Sequence, residues 1–395
     1  MKIQPLNLTI FSLLLFLTAC GSESNLTDDK SDNTQYIERG ALRDSKLIKT
    51  TKLLKYAVNA YEITYTSVDA DGKEVALSGL LAIPQKTNNK TSPLLSFQHG
   101  TRFDNDNRPT SATSKNPISI ADIAGIGYIV AAPDYLGYGA SLKSGRTPSY
   151  IHFQSYVNAS IDMLRASKAF LKKSNIAFNQ QLFLMGYSEG GYATLSLQKG
   201  IQEQFDSEFT VTASAAGAGP YDLSETTKFL AKKANNESPS FMSFVIKSYN
   251  DIYKLDAIDE IYQPKFVKPV NTVFDALHTG EEINKQLTRK IEELFQPDFL
   301  VKLRGTGTHK IIDKIAENNI YNWTPKAPTL LFHSEYDETV PYLNSQNAYN
   351  AMIANGTQNV SLEKCGMYRF GTHVYCAPRF IARAKSFFGN YNPDL

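Results

Sequence analysis

The stretch that decides the fold is Leu182–Ala193, LFLMGYSEGGYA, in which an apolar run leads through Gly-x-Ser-x-Gly into helix-forming residues. The run predicts a buried strand, and the residues after Gly190 predict a helix. A side chain presented at a tight strand-to-helix turn needs small residues on both sides, and glycine supplies them at 186 and 190. A bare Gly-x-Ser-x-Gly occurs by chance in many proteins, but this one has the flanking elements that it requires. We therefore predict that Ser188 is a nucleophile exposed at the end of a strand.

Further apolar runs alternate with helical patterns along most of the chain. Strands are predicted at 93–97, 127–132, 181–186, 209–216, 329–333 and 360–363, and helices at 156–171, 191–201, 342–353 and 377–388. A hairpin is predicted between residues 56 and 84, with its turn at 69–72. Alternation of this kind predicts an α/β fold with a mainly parallel sheet that is flanked by helices on both faces.

Between residues 222 and 325 the alternation stops. This stretch is too long for a structureless loop in a compact domain, and its apolar residues recur at helical spacing, as in Phe241, Phe244 and Val245. We expect a mostly helical cap insertion between two late strands, above the carboxyl ends where open α/β sheets bind ligands. The catalytic domain is accordingly expected at 46–221 and 326–395.

A serine hydroxyl is a weak nucleophile at neutral pH unless a base removes its proton and a carboxylate holds that base. Sheets that present a nucleophile in this way carry the acid and then the histidine later in the chain. Four histidines follow Ser188. His278 and His309 lie in the predicted cap, and His333 precedes the candidate acids. The chain order therefore favours His373 as the base.

Three carboxylates follow the predicted strand at 329–333 and are candidates for the acid. They are Glu335, Asp337 and Glu338. The Asp-x-x-Val-Pro pattern that begins at Asp337 resembles the loop that carries the triad acid in many hydrolases with this kind of turn. Asp337 is therefore favoured, with Glu335 and Glu338 as alternatives.

Attack of a hydroxyl on a carbonyl produces an oxyanion, which needs backbone N–H donors. One expected donor is the residue after the nucleophile, Glu189. The other is assigned to Thr101, in the loop that follows the predicted strand at 93–97, where Gly100 lets the backbone approach a substrate. His99 in the same loop is interpreted as a packing residue rather than a catalytic one.

These motifs together resemble the bacterial relatives of the secretory lipase family of α/β-hydrolases. The similarity is carried by residues 99–101, 133–139, 162–166 and 186–191 and by the loops of Asp337 and His373. It implies the α/β-hydrolase fold and a lipase or esterase that cleaves small-molecule or lipid esters without a cofactor or a metal. Glu189 departs from the glutamine expected in this branch.

Two other functions are compatible with the same motifs. A prolyl-type serine peptidase uses the same triad, but such enzymes usually carry a propeller or a clamp for the peptide amine, and the sequence contains neither blade repeats nor an evident acidic clamp. A non-catalytic surface binding protein can keep a hydrolase scaffold without its chemistry. The presence of nucleophile, acid, base and oxyanion loop in order favours an enzyme.

The N-terminal residues predict export. Lys2 precedes an uncharged, Leu-rich stretch at 8–17, and residues 17–20, Leu-Thr-Ala-Cys, resemble the lipobox of bacterial lipoproteins. We expect a signal peptide at 1–19, an acylated Cys20 as the first mature residue and a flexible tether that runs to residue 45. A transmembrane anchor is the alternative, although the apolar stretch is short for one. The predicted location is extracytoplasmic, on the outer membrane or the cell surface.

Charge and cysteine content narrow the function further. The chain has 41 basic and 39 acidic residues, a net charge of +2 and no long single-sign run, which disfavours binding to nucleic acid. With Cys20 assigned to the lipid, Cys365 and Cys376 remain. An even pair in an exported chain predicts a disulfide, with two buried thiols as the alternative.

Overall fold

The computed structural model describes residues 37–52, 54–86, 90–111, 120–305, 307–366 and 371–392. The predicted signal peptide, Cys20 and the first part of the tether lie outside these residues. The tether prediction extends too far, because strand β1 begins at Leu42 and pairs with the next strand. Its sequence, LRDSKLIKTTK, is mostly polar. This suits β1, which is an edge strand with largely exposed side chains.

Nine strands of the described residues form one sheet. They are β1 (Leu42–Lys52), β2 (Ala57–Val68), β3 (Glu74–Pro84), β4 (Ser92–Gln98), β5 (Ile129–Pro133), β6 (Phe178–Tyr187), β7 (Ala213–Gly217), β8 (Thr329–His333) and β9 (Val360–Lys364). Their order is β1-β2-β3-β5-β4-β6-β7-β8-β9. The pairs from β1 to β5 are antiparallel, and the pairs from β5 through β4 to β9 are parallel. The carboxyl ends of β4, β6, β7 and β8 therefore meet at one edge of the sheet.

Helices lie on both faces of this sheet and in the segment between β7 and β8. They are α1 (Ile120–Gly125), α2 (Phe153–Lys173), α3 (Glu189–Gln204), α4 (Leu223–Lys232), α5 (Pro239–Ile252), α6 (Ile258–Ile261), α7 (Pro264–Thr272), α8 (Gly280–Gln286), α9 (Ile291–Leu294), α10 (Pro297–Arg304), α11 (Lys310–Glu317), α12 (Leu343–Ala354) and α13 (His373–Gly389). Apolar side chains of α2 and α3 share one buried cluster, and those of α1 and α13 share a second. The mainly parallel sheet flanked by helices is confirmed.

Local patterns explain where the predicted elements match and where they differ. The hairpin is confirmed, because β2 and β3 pair in one continuous register from Val58 and Pro84 to Val68 and Glu74. Strand β7 is shorter than the predicted 209–216. The N–H of Phe209 donates to the carbonyl of Phe205 in a turn that continues from α3, so its apolar side chain is not part of a strand.

The chain between β7 and β8 folds into the helices α4 to α11. Large side chains of this insertion, namely Phe244, Tyr262, Phe295 and Phe299, are almost fully inaccessible and belong to the same buried cluster as α2 and α3. Burial of such aromatic surface stabilises short helices that would not form alone. None of the helices within the described part of the chain is both long and apolar enough to span a membrane.

Candidate active site

Ser188 occupies a strained turn between β6 and α3. Its backbone has a positive φ of 62° with ψ −125°, which is uncommon for a residue with a side chain. The turn is possible because its neighbours are glycines. A Cβ at Gly186 would lie 2.3 Å from the carbonyl oxygen of Gly190, and one at Gly190 would lie 2.2 Å from that of Gln98. The close packing of these backbones holds the Ser188 side chain at the carboxyl end of the sheet.

The structure brings Ser188, His373 and Asp337 together in one hydrogen-bonded chain. His373 Nε2 lies 2.8 Å from Ser188 Oγ, and His373 Nδ1 lies 2.6 Å from Asp337 Oδ2. These side chains are separated by 185 and 36 positions in sequence. The His373 imidazole is therefore within hydrogen-bond distance of the Ser188 hydroxyl on one side and of the Asp337 carboxylate on the other.

Asp337 is held by the loop that follows β8. Its Oδ1 accepts the backbone N–H of Thr339 at 2.9 Å and of Val340 at 2.8 Å. Burial raises the pKa of the Asp337 carboxyl, but hydrogen bonds from His333 and His373 outweigh this effect and leave the pKa below its usual value. The carboxylate is therefore ionised throughout the neutral range.

The two alternative acids take other positions. Glu335 is paired with Lys364 at 2.8 Å on the surface. Glu338 accepts the backbone N–H of His373 at 3.1 Å through Oε2, so it contacts the main chain of the base and not its imidazole.

His373 begins the last helix, four residues before the predicted start at Ala377. The difference arises because Glu338 accepts the N–H of this first residue, which adds a negative charge at the helix N-terminus. The carbonyl of His373 also accepts a hydrogen bond from the hydroxyl of Tyr187 at 2.8 Å.

A disulfide ties the first turn of α13 to the sheet. Cys365, directly after β9, and Cys376, in the first turn of α13, form this bond with a Cα–Cα distance of 6.0 Å. The backbone of His373 is thus held by two hydrogen bonds, and the disulfide ties the first turn of its helix to the end of β9.

The loop assigned to the oxyanion lies against the turn of Ser188. A Cβ at Gly190 would approach the carbonyl oxygens of both Gln98 and His99, and Thr101 lines the same cavity as Ser188. His99 is buried, and its ring packs on Tyr135 with centroids 4.0 Å apart. Burial lowers the pKa of His99 to about 3, so the ring stays neutral. These contacts agree with a packing role for His99.

Glu189 opens α3, where its N–H has no acceptor within the helix. Its side chain is buried and accepts the hydroxyl of Tyr156 at 2.6 Å. Burial raises the pKa of the Glu189 carboxyl to about 7, against the hydrogen bond from Tyr156 and the charge of Arg102. The sequence indicated this acidic residue but not Tyr156, whose position in the first turn of α2 gives no local signal of a contact with Glu189.

A cavity of about 450 Å³ opens onto Ser188 and His373. The insertion supplies much of its wall through apolar side chains of α4 and α5, namely Leu223, Leu230, Phe241, Met242 and Val245. Thr101, Glu189 and Val340 complete it from the catalytic domain. The exposed wall is mostly apolar, although charged side chains, namely Lys233, Glu237 and Glu338, also line the cavity. An apolar pocket with a limited number of polar groups is typical of a small-molecule site.

The remaining histidines that follow Ser188 lie in different surroundings. His278 contacts Asp275 at 2.9 Å and His309 contacts Glu260 at 3.3 Å, both within the insertion. His333, which chain order excluded as the base, is buried beside Asp337. The only sequence signal for the contact between His333 and Asp337 was the position of His333 at the end of a predicted strand, four residues before Asp337.

The sheet order, the nucleophile turn after β6 and the acid loop after β8 define an α/β-hydrolase. Within that class, the family model of secretory lipases matches residues 101–382. The chain therefore belongs to the secretory lipase family and is a carboxylic ester hydrolase of the lipase and esterase type.

Individual relatives are distant in sequence but cover most of the chain. A secreted triacylglycerol lipase of Malassezia furfur is 21% identical over 302 residues, which are 75% of this chain and 74% of the relative. Across the Malassezia lipases that match, the chain spans between 45% and 74% of their length.

The matches to solved structures cover a larger share of both chains. A protein of Legionella pneumophila has a TM-score of 0.82 and 25% identity, over 89% of this chain and 98% of its own. The rice cell wall degrading esterase LipA of Xanthomonas oryzae has a TM-score of 0.78 and 25% identity, over 91% of this chain and 98% of its own.

Proposed function

We propose that the chain hydrolyses carboxylic esters through an acyl-serine intermediate on Ser188, with His373 as general base and Asp337 as the carboxylate that orients it. One observation carries this proposal. The His373 imidazole lies 2.8 Å from Ser188 Oγ and 2.6 Å from Asp337 Oδ2, so a single ring contacts both partners. That arrangement is what removal of a hydroxyl proton at neutral pH requires.

Acylation begins when Ser188 Oγ attacks the ester carbonyl and its proton passes to His373 Nε2. Nδ1 of the same ring carries a proton that it donates to Asp337, so the imidazolium is stabilised by the carboxylate. The oxyanion accepts hydrogen bonds from the backbone N–H groups of Glu189 and Thr101. As the tetrahedral intermediate collapses, the ester C–O bond breaks and His373 returns the proton to the departing alcohol.

Deacylation repeats these steps with water. His373 removes a proton from a water molecule, whose oxygen attacks the acyl carbonyl. The C–O bond to Ser188 then breaks, the carboxylic acid leaves and the proton returns to Ser188 Oγ. The cycle uses no group other than protein side chains, backbone N–H groups and water.

The cavity supports acyl esters as substrates. Its wall includes aliphatic and aromatic side chains of α4 and α5, which favour contact with a hydrocarbon chain. The relatives include secreted triacylglycerol lipases and an esterase. Acylglycerols and related acyl esters are therefore the proposed substrates.

Hydrolysis assays with nitrophenyl acyl esters and with peptide anilides test this function. The proposal expects cleavage of the esters, little cleavage of the anilides and loss of activity in Ser188→Ala. Cleavage of the anilides at a comparable rate would instead support the prolyl-type peptidase. A folded wild-type protein that cleaves neither would support a binding protein.

We further propose that the chain acts outside the cytoplasm and is held at a membrane by acyl chains on Cys20. The Leu-Thr-Ala-Cys sequence at 17–20 supports the anchor, and the secreted lipases among the relatives support only the location outside the cytoplasm. Dual acylation gives durable anchoring, whereas a single chain does not. In a bacterial host, the wild type should partition into detergent from the membrane fraction, and Cys20→Ser should be soluble. A Cys20→Ser variant that stays in the membrane fraction would contradict the anchor.

A further inference from the structure

Asp337 contacts a second imidazole, that of His333, in addition to that of His373. His333 Nε2 lies 3.2 Å from Asp337 Oδ2, the same oxygen that His373 Nδ1 contacts at 2.6 Å. His333 is the last residue of β8 and is fully buried. It does not line the cavity that opens onto Ser188. Its contact with the reaction machinery therefore passes through the acid and not through the substrate.

The surroundings of His333 determine its tautomer. Nε2 also lies 3.0 Å from the carbonyl oxygen of Val340. A carboxylate and a carbonyl only accept hydrogen bonds, so Nε2 carries the proton. Nδ1 lies 2.8 Å from the hydroxyl of Ser345, which can donate to it. The neutral Nε2–H form satisfies all three partners and places no buried positive charge beside the triad.

With His333 included, hydrogen-bond donors contact both carboxylate oxygens of Asp337. Oδ1 accepts two backbone N–H groups, from Thr339 and Val340, and Oδ2 accepts two imidazole N–H groups. A carboxylate has about four sites for hydrogen bonds. Rotation of the Asp337 side chain would break contacts at both oxygens, so its orientation is fixed. Hydrogen bonding to His333 also contributes to the lowered pKa of Asp337, after the opposing effect of burial.

We propose that His333 is a positioning residue for the reaction, whose Nε2–H holds Asp337 Oδ2 in the place where His373 can use it. This inference rests on the proposed function, since it gives Asp337 its role through His373. The chain order of nucleophile, acid and base provides no place for such a residue, which lies four positions before the acid.

Two amide substitutions at His333 test its contact with Asp337, because they differ mainly in the length of the side chain. In His333→Gln the amide nitrogen is as many bonds from Cβ as Nε2 is, so it can donate to Asp337. In His333→Asn the amide reaches only the region of Nδ1 and keeps the contact with Ser345. The expected result is a kcat near that of the wild type for His333→Gln and a loss of about tenfold for His333→Asn, the effect of one hydrogen bond to a charged group. KM should stay the same in both, because His333 is outside the cavity.

His309→Asn is the matched control, since it removes a histidine–carboxylate contact in the insertion away from Ser188. It should keep the wild-type kcat. Melting temperatures of all variants show whether a change in kcat merely follows unfolding. A His333→Asn variant with the wild-type kcat, or a folded His333→Gln variant as impaired as His333→Asn, would overturn the inference.

If His333→Asn does not fold, His333→Leu takes its place, because leucine has no donor for Asp337. A loss of kcat of about tenfold in folded His333→Leu supports the inference, and a wild-type kcat overturns it. Ser188→Ala separates this inference from the proposed function. Activity that persists in Ser188→Ala overturns both the proposed function and the role of His333. Activity that depends on Ser188 but does not change with the side chain at position 333 overturns only the role of His333.

Discussion

Glu189 places a buried carboxyl directly beside the nucleophile and the proposed oxyanion. Burial raises its pKa to about 7, so the group changes from neutral to charged as pH rises through the neutral range. A negative charge next to a developing oxyanion disfavours the transition state. We therefore expect the ionisation of Glu189 to limit activity at alkaline pH.

Glu189→Gln should remove this limit, because an amide keeps an acceptor for Tyr156 and never ionises. We expect the ratio of kcat/KM in the variant to that in the wild type to rise as pH increases through about 7. Profiles of kcat/KM against pH measure this ratio. A ratio that stays constant across the profile would contradict a charge effect of Glu189.

The same pKa predicts a change in stability. A carboxyl with a folded-state pKa above its usual value favours the folded state below the usual pKa, and this contribution is lost as pH rises through the folded-state pKa. Relative to Glu189→Gln, the wild type should lose about 3 kcal/mol of unfolding free energy between about pH 4 and about pH 8. Urea unfolding at the two pH values measures the difference, and no pH dependence of that difference would contradict it.

Helix α13 has the base as its first residue, and the disulfide fastens this end of the helix to the end of β9. The bridge closes a loop across 11 positions, for which the lost entropy of the unfolded chain corresponds to about 2–3 kcal/mol. Replacement of both Cys365 and Cys376 by alanine should lower the unfolding free energy by this amount and lower kcat, because the end of α13 is less restrained. Reductant should reproduce both changes in the wild type and have no effect on the double variant. If the double variant keeps the wild-type kcat, the bridge does not hold the base.

Helix α5 contributes Val245 to the cavity wall. Val245→Phe adds volume where a long acyl chain would lie, so kcat/KM for an octanoyl ester should fall about tenfold while that for an acetyl ester changes little. Val301→Phe on α10 is the control, since Val301 is 73% exposed and does not line the cavity. Assays with nitrophenyl esters of the two chain lengths make the comparison. Equal losses on both esters would place the acyl chain elsewhere.

At the scale of the whole molecule, the sequence predicts the parts whose causes are local. The turn at Ser188 depends on adjacent glycines, and the β2–β3 hairpin depends on alternation around the turn at 69–72, so both can be inferred from short stretches. Strand β1 could not be predicted, because its polar residues pair with β2 only once the sheet has formed. The contact of His333 with Asp337 also escaped prediction, since it depends on how the loop after β8 folds back onto the strand.

The central claim is that Ser188, His373 and Asp337 act as one unit. The most direct measurement is the rate at which a fluorophosphonate reacts with the protein, with the adduct located by mass spectrometry. We predict a single adduct on Ser188 and a rate reduced at least about a thousandfold in His373→Ala, with a large reduction in Asp337→Asn as well. An adduct elsewhere, or an unchanged rate on Ser188 in a folded His373→Ala variant, would contradict the account.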